Sequence, residues 1–322
     1  MLRPGMLHRL LYSPFLAQVV VTRKCNLACT YCNEFDDHSP PVATEDLRAR
    51  LRKLKELGTW AVEWTGGEPM LHPDLFELTR YAKRELKFHK VMLISNAYLF
   101  NEDKIRQLNE AGLDELQVSI DGVNTNDVTI KVLKPLRKKL EAVVRAAKFK
   151  VVLNAVIGSA PAAEAMEVVD FARANGLRPR VCLIHGGDGQ MKLTPEDLVV
   201  YNAIKAQMGR RFREAGDYRT RLMNENRAPF KCRAGSRYLY VDELGMVRWC
   251  SQQRQSWGKA LADYTRDDLK KQFFTAKDCN DHCTVGCVRT CSHPDEWRGQ
   301  PLAPDPAELP SETLVQISRP AP

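Results

Sequence analysis

Apolar, β-branched runs recur along the first two thirds of the chain. Each is followed by a stretch in which apolar positions return every three or four residues. The runs predict strands over Ala17–Thr22, Trp60–Thr65, Lys90–Ser95, Glu115–Ile120, Lys150–Ile157 and Arg180–His185. The stretches between them carry helix start and stop signals. Thr44 caps a helix opened by Glu45 and Asp46 that stops near Gly58, and His72-Pro73-Asp74 starts a second. Asn101 and Gly112 bound a third, Leu136–Phe149 forms a fourth, and Ala162–Asn175 closes on Gly176. Thr194-Pro195-Glu196-Asp197 opens a sixth, with Pro at the first helical position. Six strand–helix units in succession require a parallel sheet, because parallel neighbours need a crossover. The fold class is α/β, as an open doubly wound sheet or a partial barrel.

The alternation ends near Gly216. Gly216–Lys231 reads as a linker with a short helix, and Tyr238–Val241 and Met246–Trp249 as a β-hairpin around Asp242-Glu243-Leu244-Gly245. Cys279–Cys291 reads as a ligand loop rather than a helix, because Asn280, Asp281, Thr284, Val285, Gly286 and Thr290 are poor helix formers. From Pro301 onward six prolines fall in 22 residues, which predicts an extended tail. The expected division is a strand–helix body over 1–215, a small C-terminal unit over 216–300 and a tail over 301–322.

Composition narrows the class. Of the 322 residues, 44% are hydrophobic, which excludes a disordered, collagenous or repeat-array chain. The net charge of +8 favours anionic partners only weakly. No stretch reaches the roughly 18 apolar residues of a membrane helix. Leu10–Thr22 lacks a small-residue cleavage site, so a cytoplasmic location is expected. Three of the ten cysteines fall within Cys25–Cys32 and six within Cys232–Cys291, with Cys182 alone. Such clusters, without an export signal, point to metal or redox chemistry rather than to a disulfide framework.

The first cluster, Cys25-Asn-Leu-Ala-Cys29-Thr-Tyr-Cys32, follows the first strand directly. Three thiolates in one short loop can wrap one face of a cubane and leave an iron open. A Cys₃His zinc loop completed by His38 is the alternative. The spacing, with Tyr31 before the last Cys, resembles the radical SAM superfamily, and the resemblance extends over about residues 15–190. It implies a partial (β/α)₆ barrel. It further implies a [4Fe–4S] cluster held by Cys25, Cys29 and Cys32, with S-adenosylmethionine (SAM) on the fourth iron. Thr65-Gly66-Gly67-Glu68-Pro69 resembles the motif that receives the SAM amino group, and Ser95-Asn96 a polar pair after the third strand. Ser119-Ile120-Asp121-Gly122 resembles the ribose motif and Asn154-Ala-Val-Ile157-Gly158 the adenine-side motif, with Tyr31 near the adenine. Each motif ends a predicted strand, where parallel α/β folds place their ligands. The implied chemistry is reductive cleavage of SAM to a 5′-deoxyadenosyl radical, fed by a reductase such as flavodoxin or ferredoxin.

The string from Cys232 to Cys250 resembles the opening of SPASM and twitch domains, which carry auxiliary [4Fe–4S] clusters. Three readings stay open for Cys232, Cys250, Cys279, Cys283, Cys287 and Cys291: one four-Cys cluster, two clusters, or a zinc site aided by His282 or His293. The sixth strand runs into His185-Gly186-Gly187-Asp188, which makes His185 and Asp188 candidates for substrate contact or proton transfer. Cys182 reads as a buried small hydrophobe. The basic run Lys131–Lys150 reads as a solvated helix face, with an anionic substrate, nucleic acid or flavodoxin-type donor as alternatives. Asn124–Asp127 stands where many family members carry His-Asp and Arg-Gly. The resemblance thus implies hydrogen abstraction from a peptide or small molecule. RNA modification and a non-catalytic iron–sulfur or zinc scaffold are the rivals. The first strand starts some 15 residues into the sequence, so no peptide-recognition domain is expected ahead of it, and a bound peptide would need a separate carrier.

Overall fold

The computed structural model describes residues 11–32, 34–184, 193–208, 218–222, 224–225, 228–296 and 298. His185, Asp188, the boundary expected near Gly216 and the 301–322 tail lie outside the described residues.

Six strands alternate with helices as the pattern predicts: β1 (Leu16–Thr22), β2 (Ala61–Gly66), β3 (Lys90–Ser95), β4 (Glu115–Ile120), β5 (Lys150–Ile157) and β6 (Arg178–Leu183). The connecting helices are α1 (Thr44–Glu56), α2 (Leu75–Arg80), α3 (Glu102–Ala111), α4 (Leu133–Ala146) and α5 (Ala162–Ala174), with α6 (Pro195–Gln207) after β6. The C-terminal part adds β7 (Tyr238–Val241), β8 (Met246–Arg248), β9 (Lys259–Ala260), α7 (Arg266–Phe274) and α8 (Gly286–Ser292). The sheet order is β6-β5-β4-β3-β2-β1-β7-β8-β9. Each neighbouring pair from β6 to β7 is parallel, and the last two pairings are antiparallel. The hairpin therefore continues the barrel sheet through β1, in the register Leu16↔Tyr238 to Val19↔Val241.

One face of the sheet packs on the helices. Ala17, Val19 and Val21 of β1 join Val62, Trp64, Leu93, Val118 and Leu153 in a core filled from above by Leu47, Leu51 and Leu54 of α1 and Leu136, Leu140 and Val143 of α4. This is the alternation a half-covered strand requires. The opposite, inner face carries polar residues, which the functional site uses.

Three local expectations change. Thr44 begins α1 rather than capping it; Ala43 takes the N-cap with no side-chain bond, and the Thr44 hydroxyl donates to Asp74 Oδ2 at 2.5 Å. Helix α4 starts at Leu133, because the Leu133 amide bonds Gly122 O at 2.9 Å and tethers the chain there. The stretch expected to be a loop over Cys279–Cys291 contains a 3₁₀ turn (Asp278–His282) and α8. Burial of Val288, Cys291 and Ser292 in α8 outweighs its poor intrinsic propensity. Among the described residues no helix is long and apolar enough to cross a membrane.

Candidate functional site

The cysteine loop leaves the C-terminal end of β1 and is clamped at its root. Gly67 N donates to Thr22 O and Glu68 N to Lys24 O, both at 2.9 Å. A Cβ on Gly66 (φ +138°) would lie 2.1 Å from Thr22 O, and one on Gly67 2.3 Å from the carbonyl oxygens of Arg23 and Lys24. The close approach these glycines permit is therefore to the loop's own root. On the other side Asp36 N bonds Arg23 O at 2.9 Å and Cys25 N bonds Asp36 O at 3.1 Å. The Asp36 carboxylate accepts from Arg23 Nε at 3.1 Å and from Ser39 N at 2.9 Å.

Cys25, Cys29 and Cys32 are free thiols. Cys25 Sγ accepts from Leu27 N at 3.4 Å and from Asn96 Nδ2 at 3.8 Å, while Cys29 Sγ lies 3.7 Å from Thr129 Oγ1. Burial raises the Cys25 thiol, and the charges of Glu68, Cys32 and Cys29 raise it further. Bare thiolates here repel one another, and a metal cluster removes that repulsion.

The SAM-motif residues meet around this loop. The fully buried Glu68 carboxylate accepts from Met70 N at 3.0 Å, Ser95 Oγ at 2.8 Å and Asn96 N at 2.8 Å. Ala97 adopts φ +63°, a left-handed turn uncommon for a residue with a Cβ, directly after Asn96. Asn96 Nδ2 donates to Asn26 Oδ1 at 2.9 Å, so the polar pair after β3 grips the cysteine loop. At the end of β4, buried Asp121 accepts from Tyr31 OH at 2.6 Å and Thr129 Oγ1 at 2.5 Å, both through Oδ2. Its other oxygen, Oδ1, is buried without a hydrogen-bond partner among the described residues. Burial, with the Asp121 charge, keeps the Tyr31 phenol protonated. Ser119 is half-buried and faces Asn154 across the β4–β5 register. The Ile157 side chain sits in the helix-side core, so its backbone is what it offers a ligand.

The sequence missed several partners here. Lys131, read as the start of a solvated basic run, is mostly buried; its Nζ lies 4.8 Å over the Tyr31 ring and 3.6 Å from Asp121 Oδ2. Thr129 and Asn26 also escaped notice. Their only sequence signal is proximity to a motif.

The inner face of the sheet is polar. Gln18 Nε2 donates to Glu63 Oε2 at 2.6 Å, Tyr238 OH donates to Gln18 Oε1, and Arg180 donates to Gln117 Oε1. Cys182 is half-buried on this face and bonds Asn154 Oδ1 at 3.1 Å, so it is not a core hydrophobe. A cavity of about 300 Å³ opens at the other end of the strands, lined by Glu115, Phe149, Lys150 and Arg178, remote from the cysteine loop.

Five of the C-terminal cysteines, Cys232, Cys250, Cys283, Cys287 and Cys291, pack in one cluster. Asn280 binds back on the hairpin root, accepting from Cys232 N at 2.7 Å and donating to Phe230 O at 2.8 Å. Burial pushes Cys283 well up, and the charges of Cys232, Cys250 and Cys279 add to it. Cys279 is pushed to about 11 by burial and by Cys232. Cys287 is raised to about 12 by burial and by the Glu63 charge. Cys232, Cys250, Cys279 and Cys283 thus act on one another, Cys287 acts on Cys250 as well, and Cys287 and Cys291 also feel the Glu63 charge. His293 pairs instead with Glu296 at 2.9 Å, and His38 is exposed beside Asp36 and Asp37. Among the described residues no group of three or more His, Cys, Asp or Glu side chains is placed to hold a metal ion as they stand. The fit of a cluster rests on donor chemistry: free thiols in two groups, and an orphaned Asp121 oxygen beside the first.

An ionic network joins the two regions. Arg254, just after Cys250, donates to Glu243 Oε1 and Tyr240 OH, each at 2.8 Å, and stands 3.7 Å from Glu34 of the cysteine loop. Tyr240 OH donates to the same Glu34 carboxylate.

Comparison with known proteins fits this geometry. The chain is 31% identical over 163 residues to the PqqA peptide cyclase of Gluconobacter oxydans (strain 621H), a match covering 48% of this chain and 45% of that protein. It is 28% identical over 218 residues to the Fe-coproporphyrin III synthase of Methanosarcina barkeri, covering 62% of this chain and 52% of that protein. The chain thus spans about half the length of the curated relatives it matches. Its fold is similar to that of Streptococcus suis SuiB bound to precursor peptide SuiA, with a TM-score of 0.61 and 19% identity, covering 83% of this chain and 66% of that one. The model of the Radical SAM superfamily matches residues 19–200. With more than half of its length matched in this way, and its motifs gathered around one cysteine loop, the chain belongs to the radical SAM superfamily.

Proposed function

We propose that this protein cleaves SAM reductively at the Cys25–Cys29–Cys32 loop and modifies a peptide substrate by hydrogen abstraction. When loaded, the cluster supplies the electron that breaks the S–C5′ bond, giving methionine and a 5′-deoxyadenosyl radical that takes a hydrogen atom from substrate. The chain's own residues position and shield. Cys25, Cys29 and Cys32 hold the iron, and Gly66 and Gly67 fix the loop root. Asp121 offers its unpartnered oxygen to a ribose hydroxyl, and the Tyr31 ring lines the nucleoside side. Glu68 acts through Ser95 and Asn96, which brace the loop. The observation that carries this reading is the convergence of Tyr31, Asn96 and Asp121 on one cysteine loop.

The peptide reading draws on the relatives that act on or bind peptides, together with the inner face. Gln18, Gln117, Asn154 and Arg180 present amide and guanidinium groups suited to peptide amides. The C-terminal cysteines would hold an auxiliary cluster that takes up the substrate's electron, and a small one-electron donor protein would reduce the first cluster. Anaerobic protein should convert SAM to 5′-deoxyadenosine under dithionite, and Cys29→Ala should abolish this. Unchanged 5′-deoxyadenosine formation in that variant would refute the assignment.

A further inference from the structure

The inner face of the sheet is covered unevenly by the described residues. Over β1–β3, Val20, Ala61 and Met92 are buried against Tyr218, Leu222 and Phe230. Over β4–β6, Gln117, Ser119, Arg180 and Cys182 stay half-buried. Parallel pairing sets Ser119 opposite Asn154 and Asn154 opposite Arg180, so these three form one row across the strands. Ser119 lies two residues before Asp121, at the nucleoside end of the site. From there the row runs two strand spacings, roughly 10 Å, to Arg180.

The row offers donors and little to receive them. Arg180 Nη1 donates to Gln117 Oε1, which fixes the guanidinium and leaves its Nε–Nη2 edge with no acceptor among the described residues. No described carboxylate pairs with it. Glu63, on the inner face of β2, is held by Gln18 Nε2 at 2.6 Å and forms no ion pair with Arg180. Half-buried cations elsewhere in the strand body differ, since Lys90 has Glu115 at 2.7 Å and Lys131 has Asp121 at 3.6 Å. Asn154 is only 5% exposed; its Oδ1 accepts from Cys182 Sγ at 3.1 Å, and its Nδ2 has no acceptor among the described residues. A ligand that displaces water from such donors must itself accept, because a donor buried without a partner is costly. A carboxylate matches best, since one guanidinium edge binds it through two parallel hydrogen bonds.

We propose that Arg180, with Asn154 beside it, receives an acidic side chain, so that the substrate is a peptide carrying Asp or Glu near the position that loses hydrogen. The proposal rests on the peptide-modifying reading above and names a residue type that its substrate must contain. Arg180 is then a specificity-determining residue, because a site built to pair a carboxylate rejects the neutral amide of the same shape. SAM also bears a carboxylate, and the experiment separates the two sources.

The test uses full-length, cluster-loaded protein with SAM and no reductant, and labelled blocked tripeptides, acetyl-Ala-X-Ala-amide, with X as Glu, Asp, Gln or Leu. Dissociation constants are read by equilibrium dialysis. The Glu or Asp peptide should bind about tenfold more tightly than the Gln peptide. Arg180→Gln should bring the Glu-to-Gln ratio close to one, and Arg180→Lys should keep part of it. The ratio within each protein is the readout, because a merely structural loss weakens all the peptides alike. Equal binding of acidic and Gln peptides by the parent, or binding of none, would overturn the proposal. So would a preserved preference in the Arg180→Gln protein. If that variant instead loses SAM affinity and keeps the preference, the carboxylate held is SAM's own and the proposal falls. The SAM-cleavage reading fails separately, if the parent forms no 5′-deoxyadenosine under dithionite.

Discussion

Single atoms decide the geometry of the cysteine loop. Gly67 has no room for a methyl group, because two backbone carbonyl oxygens stand 2.3 Å from where it would sit. Backbone cannot step aside as a side-chain tip can. Gly67→Ala should therefore cost about 1–3 kcal/mol and reduce iron at the first site, read by urea unfolding and iron content. Asp121 poses the opposite case, a buried oxygen with a partner still to find. Asp121→Asn keeps the shape but loses the charge facing Lys131 and one acceptor. SAM affinity should fall about tenfold, near 1.4 kcal/mol, with the melting temperature little changed. Calorimetric titration of SAM into cluster-loaded protein would decide it; an unchanged Kd would exclude Asp121 from the nucleoside site.

At the scale of elements, β7 and the turn after β8 act as a brace. The parallel pairing of β7 with β1 sets Tyr240 beside Glu34, and the turn Ser251–Gln253 delivers Arg254 to the same carboxylate. The loop that follows Cys32 is thus held by residues more than 200 positions away. Arg254→Met removes the cation that Glu34 and Glu243 share and leaves Glu243 only Arg23, at 3.5 Å, a loss on the order of 1–3 kcal/mol. The expected result is faster chelator removal of the first cluster, about tenfold, with the auxiliary iron retained. Equal rates in variant and parent would show that the brace is idle.

The whole molecule reads as one sheet serving two cysteine sites, and iron counting tests that arrangement. The loaded chain should hold roughly eight irons, and the Cys25, Cys29 and Cys32 triple Ala variant roughly four. Cys250→Ala should remove the auxiliary iron and loosen the region from Phe230 to Asp295, seen as faster amide exchange there, because so small a unit draws much of its stability from its metal. SAM binding should persist in that variant. Stoichiometric zinc in place of iron in the triple variant would turn the C-terminal unit into a structural zinc domain.

Much of this was legible in the sequence, because periodicity and spacing are local. Alternating runs specified the strands and helices, and a parallel βα order puts every strand end on one rim, so motifs far apart in sequence had to meet. The meeting itself was a tertiary outcome. Whether Lys131 faced water or the Tyr31 ring depended on how the chain from Gly122 to Leu133 closed over Asp121, which no period encodes. The same holds for α8, whose weak propensity gave way to burial of Val288 and Cys291, and for the parallel seam between β1 and β7. The gathering of Cys232, Cys250, Cys283, Cys287 and Cys291 into one cluster likewise came from packing. Sequence alone determined which chemistry was on offer and at which rim. Only the folded chain decided which side chains share a site, because those contacts join residues tens to hundreds of positions apart, and their energies arise from burial rather than from local preference.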